Sequence, residues 1–196
     1  MVTYTHRRWH MVSLYSVMHF IVDFACAFLI FRNIAGTSDG YLCVLLYNFC
    51  AFALQMPLGI LADKWNRNYL FAIIGCLVVG MAYGLWQVPV AAAVIIGIGN
   101  GMFHIGGGFD VLNISEDKSG ALGVFVSPGA FGYFCQRVMA VRAGRRRFAH
   151  ALVNRNKEGE TMSRGLFSAL ALSLALTLVL VVLAHCSNVL YREDRS

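Results

Sequence analysis

The sequence predicts an all-α fold, a polytopic membrane helix bundle of about six spans, and three observations carry that reading. Hydrophobic residues make up 58% of the chain and charged ones only 13%, with a mean hydropathy of +0.63, where a soluble domain holds about 45–50% apolar residues. The apolar residues gather in stretches long enough to cross a bilayer. The charges gather in the short turns between them. Crossing a hydrocarbon core of about 30 Å takes roughly 20 apolar residues, so 196 residues accommodate about six spans and no separate soluble domain.

The first stretch runs from His10 to about Phe31, behind the basic cluster His6, Arg7 and Arg8. It is too long for the apolar part of a signal peptide and has no small-residue cleavage site, so it is a retained span. The second covers Tyr41 to Leu61, with Pro57 near its end, and the third Tyr69 to Val88, closed by Pro89. A fourth follows at once from Val90 to about Phe109, because proline ends one helix and suits the first turn of the next. Asp110 to Lys118 reads as a polar connection, and Ala121 to Cys135 resumes the apolar pattern around Gly123, Pro128, Gly129 and Gly132. Leu166 to Leu183 contains 18 residues without a charge and is the strongest span signal in the chain. The chain thus divides into residues 1–136 with five helices, a basic connecting segment 137–165, and a last helix with a short tail at 166–196.

Basic residues near span ends orient the bundle. With the N-terminus inside, Arg7, Arg8, Lys64, Arg67 and Lys118 are cytoplasmic and Arg32 is outside, five against one. That predicts a multi-pass protein of the cell (inner) membrane with a cytoplasmic N-terminus. The same alternation puts Arg137, Arg142, Arg145, Arg146, Arg147, Arg155, Lys157 and Arg164 outside, against the rule. Three explanations stand. The fifth segment enters and leaves on the cytoplasmic side, the basic stretch is translocated despite its charge, or a span was lost by a frameshift, as the abrupt turn to Ala, Gly and Arg at Arg137 suggests.

Several polar residues sit where lipid-facing residues are expected. Asp23 falls near the middle of the first span, where an aspartate costs about 2.5–3.5 kcal/mol to insert. His19 is four residues earlier on the same helical face. The pair can exchange a proton near neutral pH, or it makes a structural hydrogen bond. On the second span Asn48 and Gln55 are seven residues apart, and on the fourth Asn100 and His104 are four apart, so each couple shares a face. These residues line a cavity formed by helices one, two and four, with the third and last helices facing lipid, or they act as glue between helices. Gly80 with Gly84 and Gly97 with Gly101 have the spacing that lets membrane helices approach closely. Gly106 to Gly108 suggests a hinge.

Other chemistry is excluded or subordinate. No Gly-Lys-Ser/Thr follows a glycine loop, so no nucleotide drives the protein. The six cysteines have no metal-like pair spacing and read as small apolar residues, so neither metal nor cofactor is expected. Ser127 lies in a Val-Ser-Pro-Gly context without a histidine partner, which argues against an intramembrane protease and against an enzyme generally. The net charge of +6 serves the membrane surface and orientation rather than nucleic acid.

The turn Gly59-Ile-Leu-Ala-Asp63-Lys64-Trp-Asn-Arg67-Asn resembles the signature between the second and third helices of the major facilitator superfamily. Gly59, Asp63, Lys64 and Arg67 match it, while Asn66 and Asn68 stand where the family usually has glycine and a second basic residue. Gly97-Ile-Gly-Asn-Gly-Met-Phe-His104 and Leu122 to Gly132 resemble the fourth and fifth helices of the fosmidomycin-resistance-like branch. The resemblance covers about residues 10–135. It implies a secondary transporter, proton-coupled if Asp23 and His19 act as a pair, moving a small solute or drug between two six-helix halves. The partners implied are the lipid bilayer, a small-molecule solute, a proton, and a second transporter half or a second copy. Gly59, Asp63, Lys64 and Arg67 would latch the inner side closed, alongside the simpler role of holding the turn inside. An inactive remnant, or an accessory membrane subunit pairing with a second half, is the alternative.

Overall fold

A computed structural model describes the backbone of residues 2–65, 67–116 and 119–151, and the side chains from residue 8 to residue 142 within those bounds. The described chain is all-α, without a strand. Helix α1 (Val2–Phe28) continues through a π-helical turn, Leu29–Ile34. The second run is built from α2 (Gly40–Asn48), a π-helical turn (Phe49–Ala53) and α3 (Gln55–Trp65). Then come α4 (Asn68–Gly84), α5 (Pro89–Ile114) and α6 (Ser119–Ala151). Three of these runs, Arg8–Ile34, Gly40–Trp65 and Pro89–Ile114, are long and apolar enough to cross a membrane, and α4 is a shorter apolar helix. The expected last span, 166–183, and most of the basic segment lie outside the described residues.

Boundaries follow local chemistry. Pro89 occupies the first turn of α5, where its missing N–H is no loss. The third span is shorter than its hydropathy suggested, ending at Gly84 with a turn before Pro89. Pro57 lies in the first turn of α3. Its ring removes the donor that would close onto the Ala53 carbonyl and crowds that carbonyl, which fits the widened π turn immediately before it. The polar connection expected from Asp110 shrinks to the residues after Ile114, because α5 runs on through Asp110.

Helix α5 is the centre of the bundle. It touches every other helix, with α4 along one flank, while α6 lies along α1. The α4–α5 seam is a backbone-to-backbone contact: a Cβ on Gly75 would lie 2.5 Å from the Phe103 nitrogen, and one on Gly99 2.8 Å from the Gly75 oxygen. Gly97 and Gly101 press in the same way on Tyr47, Cys50 and Ala51, as their spacing predicted, whereas Gly84 meets nothing within 4 Å. Gly106 to Gly108, expected as a hinge, show no break in this conformation. These residues sit buried in an unbroken helix, with Gly106 tight against Asn68 and Ala72. Cys26, Cys43, Cys50 and Cys76 are buried and free, in keeping with their reading as small apolar residues.

The division of helices differs from the expected one. The third span, α4, buries Phe71, Ala72, Cys76, Val79 and Tyr83, and the Tyr83 hydroxyl donates to the Ala25 carbonyl at 2.6 Å. The second run is the peripheral one, with 22% of its apolar window buried against 56% for the first and fourth. Its side chains Tyr41, Phe52, Met56 and Ile60 are exposed.

Candidate functional site

Where α1 crosses α5, the four residues His19, Asp23, Asn100 and His104 close into one polar cluster. The local cause is helical spacing. His19 and Asp23 stand one turn apart on α1, Asn100 and His104 one turn apart on α5, and antiparallel packing brings the pairs face to face. Asn100 Nδ2 donates to Asp23 Oδ1 at 2.9 Å and also reaches Cys26 Sγ at 3.3 Å. His104 Nε2 lies 3.1 Å from Asp23 Oδ1, and His19 Nε2 lies 3.3 Å from Asp23 Oδ2. The two Nε2 atoms are 3.1 Å apart.

Helix α6 supplies the third wall. His19 Nδ1 donates to the Phe125 carbonyl at 2.9 Å, since a carbonyl oxygen only accepts. In a neutral imidazole that bond leaves Nε2 as a bare lone pair aimed into the cluster. Pro128, inside α6, loosens the ladder just after Phe125, because proline brings no donor to the turn below it. Gly129 then lets the α6 backbone lie directly on the cluster: a Cβ there would come within 2.7 Å of Asp23 Oδ2 and closer still to the His19 ring. Phe103 and Phe125 flank the His19 ring at centroid distances of 5.9 and 4.4 Å. The His19 side chain is only 1% exposed, while Asp23 and His104 keep 14% and 19%, so the cluster has a dry floor and a partly open side.

The electrostatic demand is plain. Asp23 Oδ2 and the His19 Nε2 lone pair face each other, and no lysine or arginine reaches the carboxylate among the described residues. A carboxylate in a low-dielectric interior needs a positive partner. A cation between these atoms or a proton on an imidazole supplies one, and a proton on the carboxyl itself removes the need.

The other candidates do not join this cluster. Asn48 Nδ2 donates to the Val44 carbonyl and Gln55 Nε2 to that of Ala51, each at 2.7 Å on its own helix. The π turn between them breaks the seven-residue register that would have put both on one face. Gly59 is buried beside Ile105 and Phe109, each 3.8 Å from where a Cβ would stand. Asp63, Lys64 and Arg67 are exposed at the end of α3 and in the turn, without a side-chain hydrogen bond or ion pair among the described residues. Ser127 donates to the Gly123 carbonyl on its own helix at 2.7 Å.

Two contacts were not anticipated. The Tyr15 hydroxyl donates to Asp110 Oδ2 at 2.6 Å, one turn below His19 on α1. Nearer the end of the bundle Arg8 pairs with Glu116. The first had a signal in the sequence, since Tyr15, His19 and Asp23 repeat every four residues; taking Asp110 as the start of a loop hid its partner.

Compared with protein-family models, with curated proteins and with solved structures, the chain finds no match.

Proposed function

We propose that this protein is a secondary active membrane transporter of the major facilitator type, one six-helix half of the carrier, coupling movement of a small solute or drug to protons. The observation that carries the reading is Asp23, a carboxylate in the interior of an apolar span, held by the His19 imidazole of its own span and by the His104 imidazole and Asn100 amide of a second. An intramembrane carboxylate facing the bundle interior marks an ion or substrate pathway by default. One imidazole next to a carboxylate is enough to hold and release a proton without exposing either to lipid. Asp23 and His19 carry the proton, with His104 and Asn100 completing the site. Asn48 and Gln55, bonded to their own helix in this conformation, would contact the solute in the carrier's other conformation. The turn of Gly59, Asp63, Lys64 and Arg67 would latch the cytoplasmic side against the second half.

The test is transport in vesicles with an internal pH-sensitive dye, challenged with a panel of small solutes and drugs, with the chain alone and with any partner half. Wild-type protein should show solute-dependent proton flux, and Asp23→Asn should abolish it with the protein still folded. Intact coupling in that variant would remove Asp23 from the mechanism. The second reading, an accessory subunit pairing with another half, draws on the exposed and unpartnered Asp63, Lys64 and Arg67. It predicts stable association with a second half and no flux from this chain alone.

A further inference from the structure

We infer that His19, Asp23 and His104 form a binding site for a divalent first-row transition cation of the zinc class. Proton coupling needs only one imidazole beside Asp23; this cluster has two, and their Nε2 atoms converge on each other and on the Asp23 carboxylate. The ligand atoms of the three residues all lie within 4.8 Å of one another. Their spacings are 3.1 Å between the two Nε2 atoms, 3.1 Å from His104 to Asp23 Oδ1 and 3.3 Å from His19 to Asp23 Oδ2. A metal bound at about 2.0–2.2 Å to imidazole nitrogen and carboxylate oxygen sets its ligand atoms roughly 3.0–3.5 Å apart, the range between octahedral and tetrahedral angles. The last two of those spacings run to different oxygens of Asp23, so a modest turn of the carboxylate would bring one oxygen to an ion shared with the two imidazoles.

The surroundings match a metal site in three further respects. The His19 Nδ1 bond to the Phe125 carbonyl is the outer contact that fixes a ligating imidazole in the correct tautomer with Nε2 free. Asn100 steadies the carboxylate from outside through Asp23 Oδ1. His104 and Asp23 are partly exposed and leave an approach for the ion and for added water ligands. Two imidazoles with one carboxylate favour zinc, cobalt, nickel or iron(II) over magnesium and calcium, which take oxygen ligands almost exclusively. The ion also answers the site's charge, since the buried carboxylate has no lysine or arginine to neutralise it among the described residues. The sequence concealed this because the spacing runs across 85 residues between His19 and His104 rather than within one short motif.

The inference does not depend on the carrier reading, and its test is a binding measurement on the full-length chain. Protein purified in detergent and stripped with a chelator is titrated with Co2+, followed by visible absorption, and then with Zn2+ as competitor. One Co2+ per chain should bind, with ligand-field bands that Zn2+ abolishes and Mg2+ leaves unchanged. His19→Ala, Asp23→Ala and His104→Ala should each weaken binding at least tenfold. His104→Cys keeps a ligand in place and should add a thiolate-to-cobalt charge-transfer band missing from the wild type, which reads ligation at that position even if an alanine variant fails to fold. Absence of Co2+ binding by folded wild-type protein overturns the proposal. So does binding that all the alanine variants retain, which would place the ion on the other histidines, and so does a His104→Cys variant that binds without the new band. Metal binding without proton flux in vesicles would reject the carrier and keep the site; flux without metal binding would do the reverse.

Discussion

Gly129 is the residue on which the cluster's shape depends most directly. Its missing side chain lets α6 rest on His19 and Asp23, and a methyl group there would overlap the His19 ring and lie 2.7 Å from Asp23 Oδ2. Gly129→Ala should therefore destabilise the protein by about 1–3 kcal/mol, the usual cost of overpacking, and should disturb the cluster as well. Gly123→Ala, six residues earlier on the same helix, meets nothing within 4 Å. It should be neutral or slightly stabilising, since alanine favours a helix over glycine by about 0.5–1 kcal/mol. Thermal unfolding of the two variants in one detergent checks the contrast; equal losses would mean that α6 does not sit on α1 as described. Tyr15 offers a second residue-level prediction. Its hydroxyl makes the one side-chain hydrogen bond of Asp110 among the described residues, so Tyr15→Phe leaves a largely buried carboxyl without its donor. The expected loss is about 1–3 kcal/mol, measured in the same assay, and Asp110→Asn in the same background should recover part of it.

At the scale of elements, the α4–α5 seam is a backbone-on-backbone pairing, and it rests partly on glycines that the glycine spacing did not point to. Gly80 and Gly84 have the familiar spacing, yet Gly84 faces open space, while Gly75 and Gly99 meet backbone on backbone. Gly75→Leu should separate α4 from α5 and cost more than 3 kcal/mol, because backbone atoms cannot yield as side chains do. Gly84→Leu should change the unfolding temperature little, and similar losses from both would show that the seam lies elsewhere. The same contrast explains what the sequence made legible. Hydropathy located the helices because burying or lipid-exposing an apolar run is a property of the run itself. Spacing of four residues found both halves of the polar cluster, His19 with Asp23 and Asn100 with His104, because each half lies on regular α-helix. Spacing failed for Asn48 and Gln55, where a π turn intervenes. It could not show the part played by the Phe125 carbonyl or the Gly129 backbone, since neither contributes a side chain to the pattern.

The course of the whole molecule bears on the basic residues that begin at Arg137. Tyr15 packs by Phe125, Gly129 lies on His19 and Asp23, and Phe31 meets Tyr133, so α6 runs in the same direction as α1. Asp110 beside Tyr15 and Asn100 beside Asp23 set α5 the other way. Arg8 pairs with Glu116, Gly59 adjoins Phe109 and Gly106 adjoins Asn68, which gathers Arg8, Lys64 and Arg67 at one end of the bundle. Helix α6 leaves that end at Ser119 and is continuous for 33 residues, so within these bounds the fifth segment does not turn back. Its length is about 50 Å, of which a hydrocarbon core of about 30 Å would take roughly 20 residues. Arg142 then stands at the end opposite Lys64, and Arg137, near the boundary, can extend its charged head to the interface. In this arrangement Arg142 and Lys64 lie at opposite ends of the bundle, so a cytoplasmic N-terminus would put Arg142 outside. The measurement is labelling of single cysteines in intact cells with a membrane-impermeant maleimide, using variants in which the native cysteines are replaced by alanine. A cysteine in place of Arg142 should react from outside, and one in place of Lys64 should react only after the membrane is opened. Protection at both positions would place both ends of α6 on the cytoplasmic side, which a straight helix of this length cannot satisfy. Reaction at Lys64 with protection at Arg142 would invert the bundle, and the charges beyond Arg137 would then be the ones that orient the protein.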